Sequence, residues 1–184
     1  MNIAYFVNEC IELKTKYLPD DKIEFLIIGE SPPVSGNYFY KPINLKRGSA
    51  RIPAQVFRIF FNLDGVSNEE YKKCLNELKI KYHLYLDDLS EFPVNDYTAS
   101  VRVNIICSSL DNLNDRIKKL NFSDSCQKVL VLPKRTLDKF QDKKYYAEFT
   151  RILKILDITQ SQICIFSKLE NYLRNNWEII NESK

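Results

Sequence analysis

The sequence holds one histidine, His83, and only four glycines, one methionine and one tryptophan in 184 residues. A serine–histidine pair or a histidine-containing metal site would therefore have to use His83, and many reaction classes fall away. The five cysteines, Cys10, Cys74, Cys107, Cys126 and Cys164, are scattered and form no Cys-x-x-Cys pair. They read as buried free thiols in a reducing compartment, so a cytoplasmic protein is expected, with no metal and no other cofactor. No apolar run approaches the ~20 residues of a membrane helix, and no membrane is expected. The N-terminal stretch MNIAYFVNECIELKTKYL has no basic leader and no small-residue cleavage site, so no signal peptide is expected either. The net charge of +3 is too small to imply nucleic-acid binding by itself; any basic surface has to come from local clustering.

What is present reads as one globular domain over residues 1–184, with 45% apolar and 28% charged residues. Ile3, Phe6, Val7, Cys10, Leu13 and Tyr17 fall at helical spacing, so a helix is expected over 3–18. IEFLIIG at 23–29 is short, β-rich and apolar on both faces, as a central parallel strand should be. A loop, 30–48, follows. Ser49 is expected to cap the next helix, with Pro53 in its first turn, and Ser67 to cap a helix over 67–80. Strands are expected at 82–88, 128–132 and 162–166, and helices at 98–120, 134–157 (one or two) and 169–180, the last holding Trp177 as a packing residue. Alternation of this kind predicts an α/β fold, a three-layer α/β/α sandwich around a mainly parallel four-stranded sheet.

In such a sheet, ligands bind outside the carboxyl ends of the strands. Those exits carry Gly29-Glu30-Ser31-Pro32-Pro33, then Asp87-Asp88 with the loop to Pro93, then Pro133-Lys134-Arg135, then Ser167-Lys168. His83 lies at the opposite, entering end and reads as structural. The first exit is neither a P-loop nor a dinucleotide fingerprint. Gly29 lets the backbone turn, two prolines stiffen the loop, and Glu30 is presented at the sheet's end. Tyr38, Phe39 and Tyr40 could stack a planar base, with Phe39 the one expected in a pocket. Lys41, Lys46, Arg47 and Arg51 follow and could contact phosphates, as could Lys134 and Arg135. Strand alternation points Asp87 and Asp88 to different sides, so one of them is expected to face the site.

At Gly29-Glu30-Ser31-Pro32-Pro33 the sequence resembles the uracil-DNA glycosylase superfamily. Its first motif also ends the first core strand and has the form Gly-Gln/Glu-x-Pro, followed by a glycine and an aromatic. Gly36-Asn37-Tyr38-Phe39 is similar to the family's later Gly-x-x-Phe, whose phenylalanine stacks on the flipped base. The resemblance implies a DNA partner, an extruded nucleotide in a pocket and attack of water at the anomeric carbon. It implies that Glu30 and Ser31 stand at the catalytic positions. Gly29, Pro32, Phe39 and Asp87 would then line the base, and Lys134, Arg135 and Arg47 would hold phosphate. The chain departs from the pattern in three places. Ser31 stands where the best-known members have a water-positioning aspartate, and Asp87-Asp88 where members commonly have a base-reading asparagine. Ser167-Lys168-Leu169 replaces a histidine motif.

Two other readings use the same residues. A non-catalytic nucleic-acid or nucleotide-binding module needs only the basic cluster and the aromatics. A metal-dependent phosphohydrolase would use Asp87, Asp88 and Glu30 as oxygen ligands.

Overall fold

A computed structural model describes residues 3–177. Four parallel strands, β1 (Ile23–Gly29), β2 (Leu84–Asp88), β3 (Phe122–Leu132) and β4 (Ile163–Ile165), lie in the order β2-β1-β3-β4. Among the described residues eight α-helices flank them: α1 (Ile3–Tyr17), α2 (Ile52–Phe61), α3 (Asn68–Ile80), α4 (Ala99–Ser108), α5 (Leu110–Ile117), α6 (Lys134–Phe140), α7 (Tyr146–Leu156) and α8 (Leu169–Asn176). The architecture is the expected three-layer α/β/α sandwich. β1 is central and buried on both faces, only Glu24 reaching solvent, which is why its sequence reads as one apolar run. Among the described residues no helix is long and apolar enough to cross a membrane.

Local chemistry sets the boundaries, and several differ from expectation. Ser67 closes a capping box with Glu70 at the start of α3, as its position predicts. Ser49 does not cap α2: its hydroxyl accepts from the Arg51 N–H two residues on, an ST-turn, and the helix opens at Ile52. The stretch expected as one helix over 98–120 breaks at Ser109. There the Ser108 and Ser109 hydroxyls both donate to the Ile105 carbonyl, and the Ser109 N–H falls back to Ile106. β2 starts at Leu84 rather than at 82, because His83 takes a left-handed conformation at φ 48°. β3 starts six residues before the expected 128. Ile23 pairs with Phe122 but Phe25 with Gln127, so the polar residues between bulge from the ladder and hide its alternation. α8 closes at Asn176, and Trp177 is its extended C-cap, buried against Phe25 at 5.0 Å between ring centroids. Residues 178–180 of the expected helix lie outside the described residues.

The aromatic loop after β1 seals a sheet edge. β2 is an edge strand, and such an edge exposes unpaired N–H and C=O groups. The Tyr40 hydroxyl accepts from the Leu86 N–H at 2.7 Å and lies 3.3 Å from the Leu86 carbonyl, to which it donates. Tyr40 also stacks on Tyr17 of α1, with centroids 5.4 Å apart and planes 8° from parallel. Tyr71 of α3 fixes the same loop by donating to the Phe39 carbonyl at 2.6 Å. All three of Tyr38, Phe39 and Tyr40 are buried. Tyr40→Phe removes the hydroxyl and leaves a buried strand N–H unpaired, so a loss of about 1–3 kcal/mol is expected in urea unfolding. An unchanged midpoint would show that the edge is sealed by something else.

Candidate functional site

The loops that leave the carboxyl ends of the strands converge on two adjoining cavities of about 250 and 420 Å³. They share Ser31, Ile52, Asp88, Asn95 and Phe166 as walls. The smaller lobe is aromatic and adds Pro33, Asn37, Tyr38, Phe39 and Arg51. The larger is charged and adds Gly29, Glu30, Arg102, Lys134, Arg135 and Ser167.

Glu30 is buried, and both of its oxygens are engaged. Oε2 accepts from Arg102 Nη1 at 2.8 Å, and Oε1 accepts from the Thr136 hydroxyl. Arg102 is 1% exposed. Its remaining nitrogens donate to the Tyr97 carbonyl at 2.8 Å and to the Asn95 carbonyl. One guanidinium thus ties the β1 exit to the β2–α4 loop. Ser31 makes a second tie, its Oγ accepting from the Val94 N–H at 3.2 Å. Arg135 of α6 ties the β3 exit to the same loop, donating to the Asn95 carbonyl at 3.4 Å. A carboxylate held this way is fixed in place by two donors, which is the geometry that stabilising a developing positive charge requires.

The two aspartates divide as alternation predicts, but it is Asp88, not Asp87, that walls the cavities. The register explains this. Asp88 pairs directly with Gly29, and a Cβ on Gly29 would come within 2.5 Å of Asp88 Oδ1. Glycine at 29 is the space that the Asp88 carboxylate occupies. Asp87 contributes to neither lobe. Its Oδ1 accepts from the Lys14 ammonium and from the Asp88 N–H at 2.8 Å, and lies 3.5 Å from Arg116 Nη1. Lys14 also stands 3.4 Å from Asp88 Oδ2. Burial works against the Lys14 charge, yet Asp87 and Asp88 outweigh it and hold its pKa above the ordinary lysine value. Burial raises Asp88 from 3.8 to about 6, with Lys14 pulling against it. Burial, reinforced by the charge of Asp88, pushes the Tyr38 phenol well above its usual value.

Other expected site residues land as follows. Phe39 walls the aromatic lobe and meets Tyr40 edge-on at 5.0 Å. Pro32 is buried behind the loop and lines neither lobe. Arg47 lies exposed beside Gly65, near the Leu45–Val66 bridge, and lines neither cavity, whereas Arg51, next to the start of α2, walls the aromatic lobe. Lys134 and Arg135 line the charged lobe, with Lys134 Nζ 2.8 Å from Asp138. His83 lines neither lobe. Among the described residues no group of three or more His, Cys, Asp or Glu side chains stands together as a metal-binding set. Glu30 faces Arg102 and Thr136 while the aspartates face Lys14, so the three carboxylates do not converge.

Sequence reasoning missed Lys14, Arg102, Thr136 and Asn95. Lys14 left a signal, because it stands four residues after Cys10 and three before Tyr17 on the apolar face of α1. The chain matches no protein-family model, no curated protein and no solved structure.

Asp88 gives the site a pH signature. Its pKa is raised in the folded chain, so its contribution to stability is fully present below pH 3.8 and is lost as pH rises to about 6. Between pH 4 and pH 6 the native chain should therefore lose stability relative to Asp88→Asn, read from urea midpoints at each pH. Parallel profiles would refute the buried carboxylate.

Proposed function

We propose that the chain is a divergent uracil-DNA glycosylase-like protein that draws an extruded base into the aromatic lobe and hydrolyses its N-glycosidic bond. The observation that carries the reading is the division of the cavity. One lobe is walled by Tyr38 and Phe39, and the adjoining one by Glu30, Lys134 and Arg135. A base stacks on Phe39, while the sugar and its phosphate reach into the charged lobe. Glu30, fixed by Arg102 and Thr136, faces the sugar and stabilises the positive charge that develops there as the bond breaks. Water attacks the anomeric carbon as the C–N bond breaks, the base leaves with the bonding electrons, and the proton shed by the attacking water is taken up by the departing base. Lys134 and Arg135 hold phosphate as mobile charges. No histidine stands near to neutralise the leaving base, so turnover is slow.

A second reading, binding without excision, is favoured by one feature. Both Glu30 oxygens already carry hydrogen bonds, which leaves the carboxylate less able to activate water.

The deciding experiment incubates the protein, in excess EDTA, with DNA oligonucleotides carrying single modified or mismatched bases, and reveals abasic sites with alkali. Excision is expected, and Glu30→Gln should lower it by about 100-fold or more. Because that change leaves Arg102 buried without its counter-charge, both proteins are assayed well below their melting temperatures. Excision untouched by Glu30→Gln would sink the mechanism. Salt-sensitive binding with no product would favour the second reading. In either case the Lys134→Ala, Arg135→Ala double variant should bind DNA more weakly and with a shallower salt dependence.

A further inference from the structure

Buried side-chain oxygens and nitrogens are nearly always hydrogen-bonded, and each exception asks for a cause. Among the described residues seven such atoms lack a partner. Three of them, Asp88 Oδ2, the Tyr38 hydroxyl and Asn95 Oδ1, belong to walls of the aromatic lobe. Asp88 and Tyr38 are 3% and 2% exposed, so water does not bathe them freely. Asp88 is the most telling. Lys14 stands 3.4 Å from its Oδ2 but makes no hydrogen bond to it, and Gly29 has given up its side chain to make room for the carboxylate. The carboxylate is balanced by an ion pair but accepts no hydrogen bond at Oδ2, which leaves it with unused acceptor capacity for donors at the cavity wall.

The chemistry of those donors follows from the inventory. An ionised carboxylate only accepts, and it can accept two parallel N–H groups at once. A phenol hydroxyl donates or accepts, and Asn95 can turn either end of its amide to a ligand. The choice of edge therefore lies with Asp88. A uracil-type edge sets a carbonyl on each side of its single N–H, and those carbonyls would meet the carboxylate with like partial charge. A guanine-type edge sets a ring N–H beside an amino group, two adjacent donors, with one carbonyl left over for the Tyr38 hydroxyl.

Building on the base-pocket reading above, we propose that the aromatic lobe selects a base with a guanine-type edge, its ring N–H and 2-amino group donating to Asp88, and rejects uracil. Phe39 supplies the stacking surface common to any base, and Asp88 supplies the selection. A site built to satisfy a buried acceptor discriminates strongly, because the wrong ligand leaves that acceptor unpaired.

The test is calorimetric binding of three nucleotides to the full chain: guanosine, inosine and uridine 5′-monophosphate. The first two differ only in the 2-amino group. The guanine nucleotide should bind at least about tenfold more tightly than either of the others. Asp88→Asn should erase most of that preference, and its thermal melt confirms that it folds. A second variant, Tyr38→Phe, keeps the carboxylate and should retain the preference for the guanine over the inosine nucleotide. Equal binding of the guanine and inosine nucleotides, or tighter binding of the uracil nucleotide, overturns the selection by Asp88 and leaves the base pocket standing. Binding of none of the three overturns both. Guanine-selective binding by a chain that excises nothing keeps this inference and removes the glycosylase chemistry.

Discussion

Two aspartates stand side by side at the end of an edge strand, and one lysine ammonium, itself sealed from water, sits against both. Placing three charges there would be costly if any one were unmatched, so the elements that carry them are bound to one another. Lys14 fixes where α1 lies along β2. Arg116 of α5 closes the group from another side, donating to the Asp88 carbonyl at 2.6 Å while its Nη1 lies 3.5 Å from Asp87. Removing the ammonium alone would leave two adjacent carboxylates in a low dielectric, a loss of about 3–5 kcal/mol on the scale seen for broken buried pairs. The cavity inherits its shape from this arrangement, because Asp88 can wall it only while Lys14 and Arg116 balance its charge.

A second buried ion pair does for the loops what the first does for the helices. Glu30 and Arg102 are 72 residues apart in sequence, and Arg102 goes on to hold the carbonyls of Asn95 and Tyr97. The β1 exit and the β2–α4 loop are therefore tied to each other through one buried guanidinium. The prolines at 32 and 33 contribute stiffness on one side, and Ser31 pins the other through Val94. Pre-organisation of this kind is what a binding pocket needs, since loops that are already ordered lose little entropy when a ligand arrives.

The sequence makes the sheet legible and leaves the site half-legible, for a physical reason. β1 and α3 announce themselves because their signals are local: an apolar run in one case, a serine three residues before a glutamate in the other. Alternation separates Asp87 from Asp88, and the family resemblance places Asp87 at the cavity; register against β1 places Asp88 there instead, with Gly29 opposite it. Arg47 and Arg51 are four residues apart, and the turns around Gly48 and Ser49 between them leave Arg47 outside and Arg51 at the cavity. Arg102 was invisible because a charged residue in a helix normally faces water, and its partner lies on a distant strand exit. Breaks such as Ser109 were lost for a related reason: the competing hydrogen bond is made by a side chain whose propensity alone forbids neither outcome.

The stiff aromatic loop after β1 has two tasks, and they constrain each other. Tyr40 must stay with Leu86 to close the edge of the sheet, and Phe39 must stay where Tyr71 holds its carbonyl. Tyr38, between α1 and the cavity, is left with a hydroxyl that no part of the described chain satisfies. A backbone shift that carried that hydroxyl to a partner within the protein would move Phe39 and Tyr40 with it, because the three are consecutive and the Tyr38 and Tyr40 rings pack with centroids 5.7 Å apart. Such a shift would loosen the sealed edge of the sheet. Under the base-pocket proposal, the bound ligand supplies that partner instead, and the rigidity of the loop holds the hydroxyl in place to meet it.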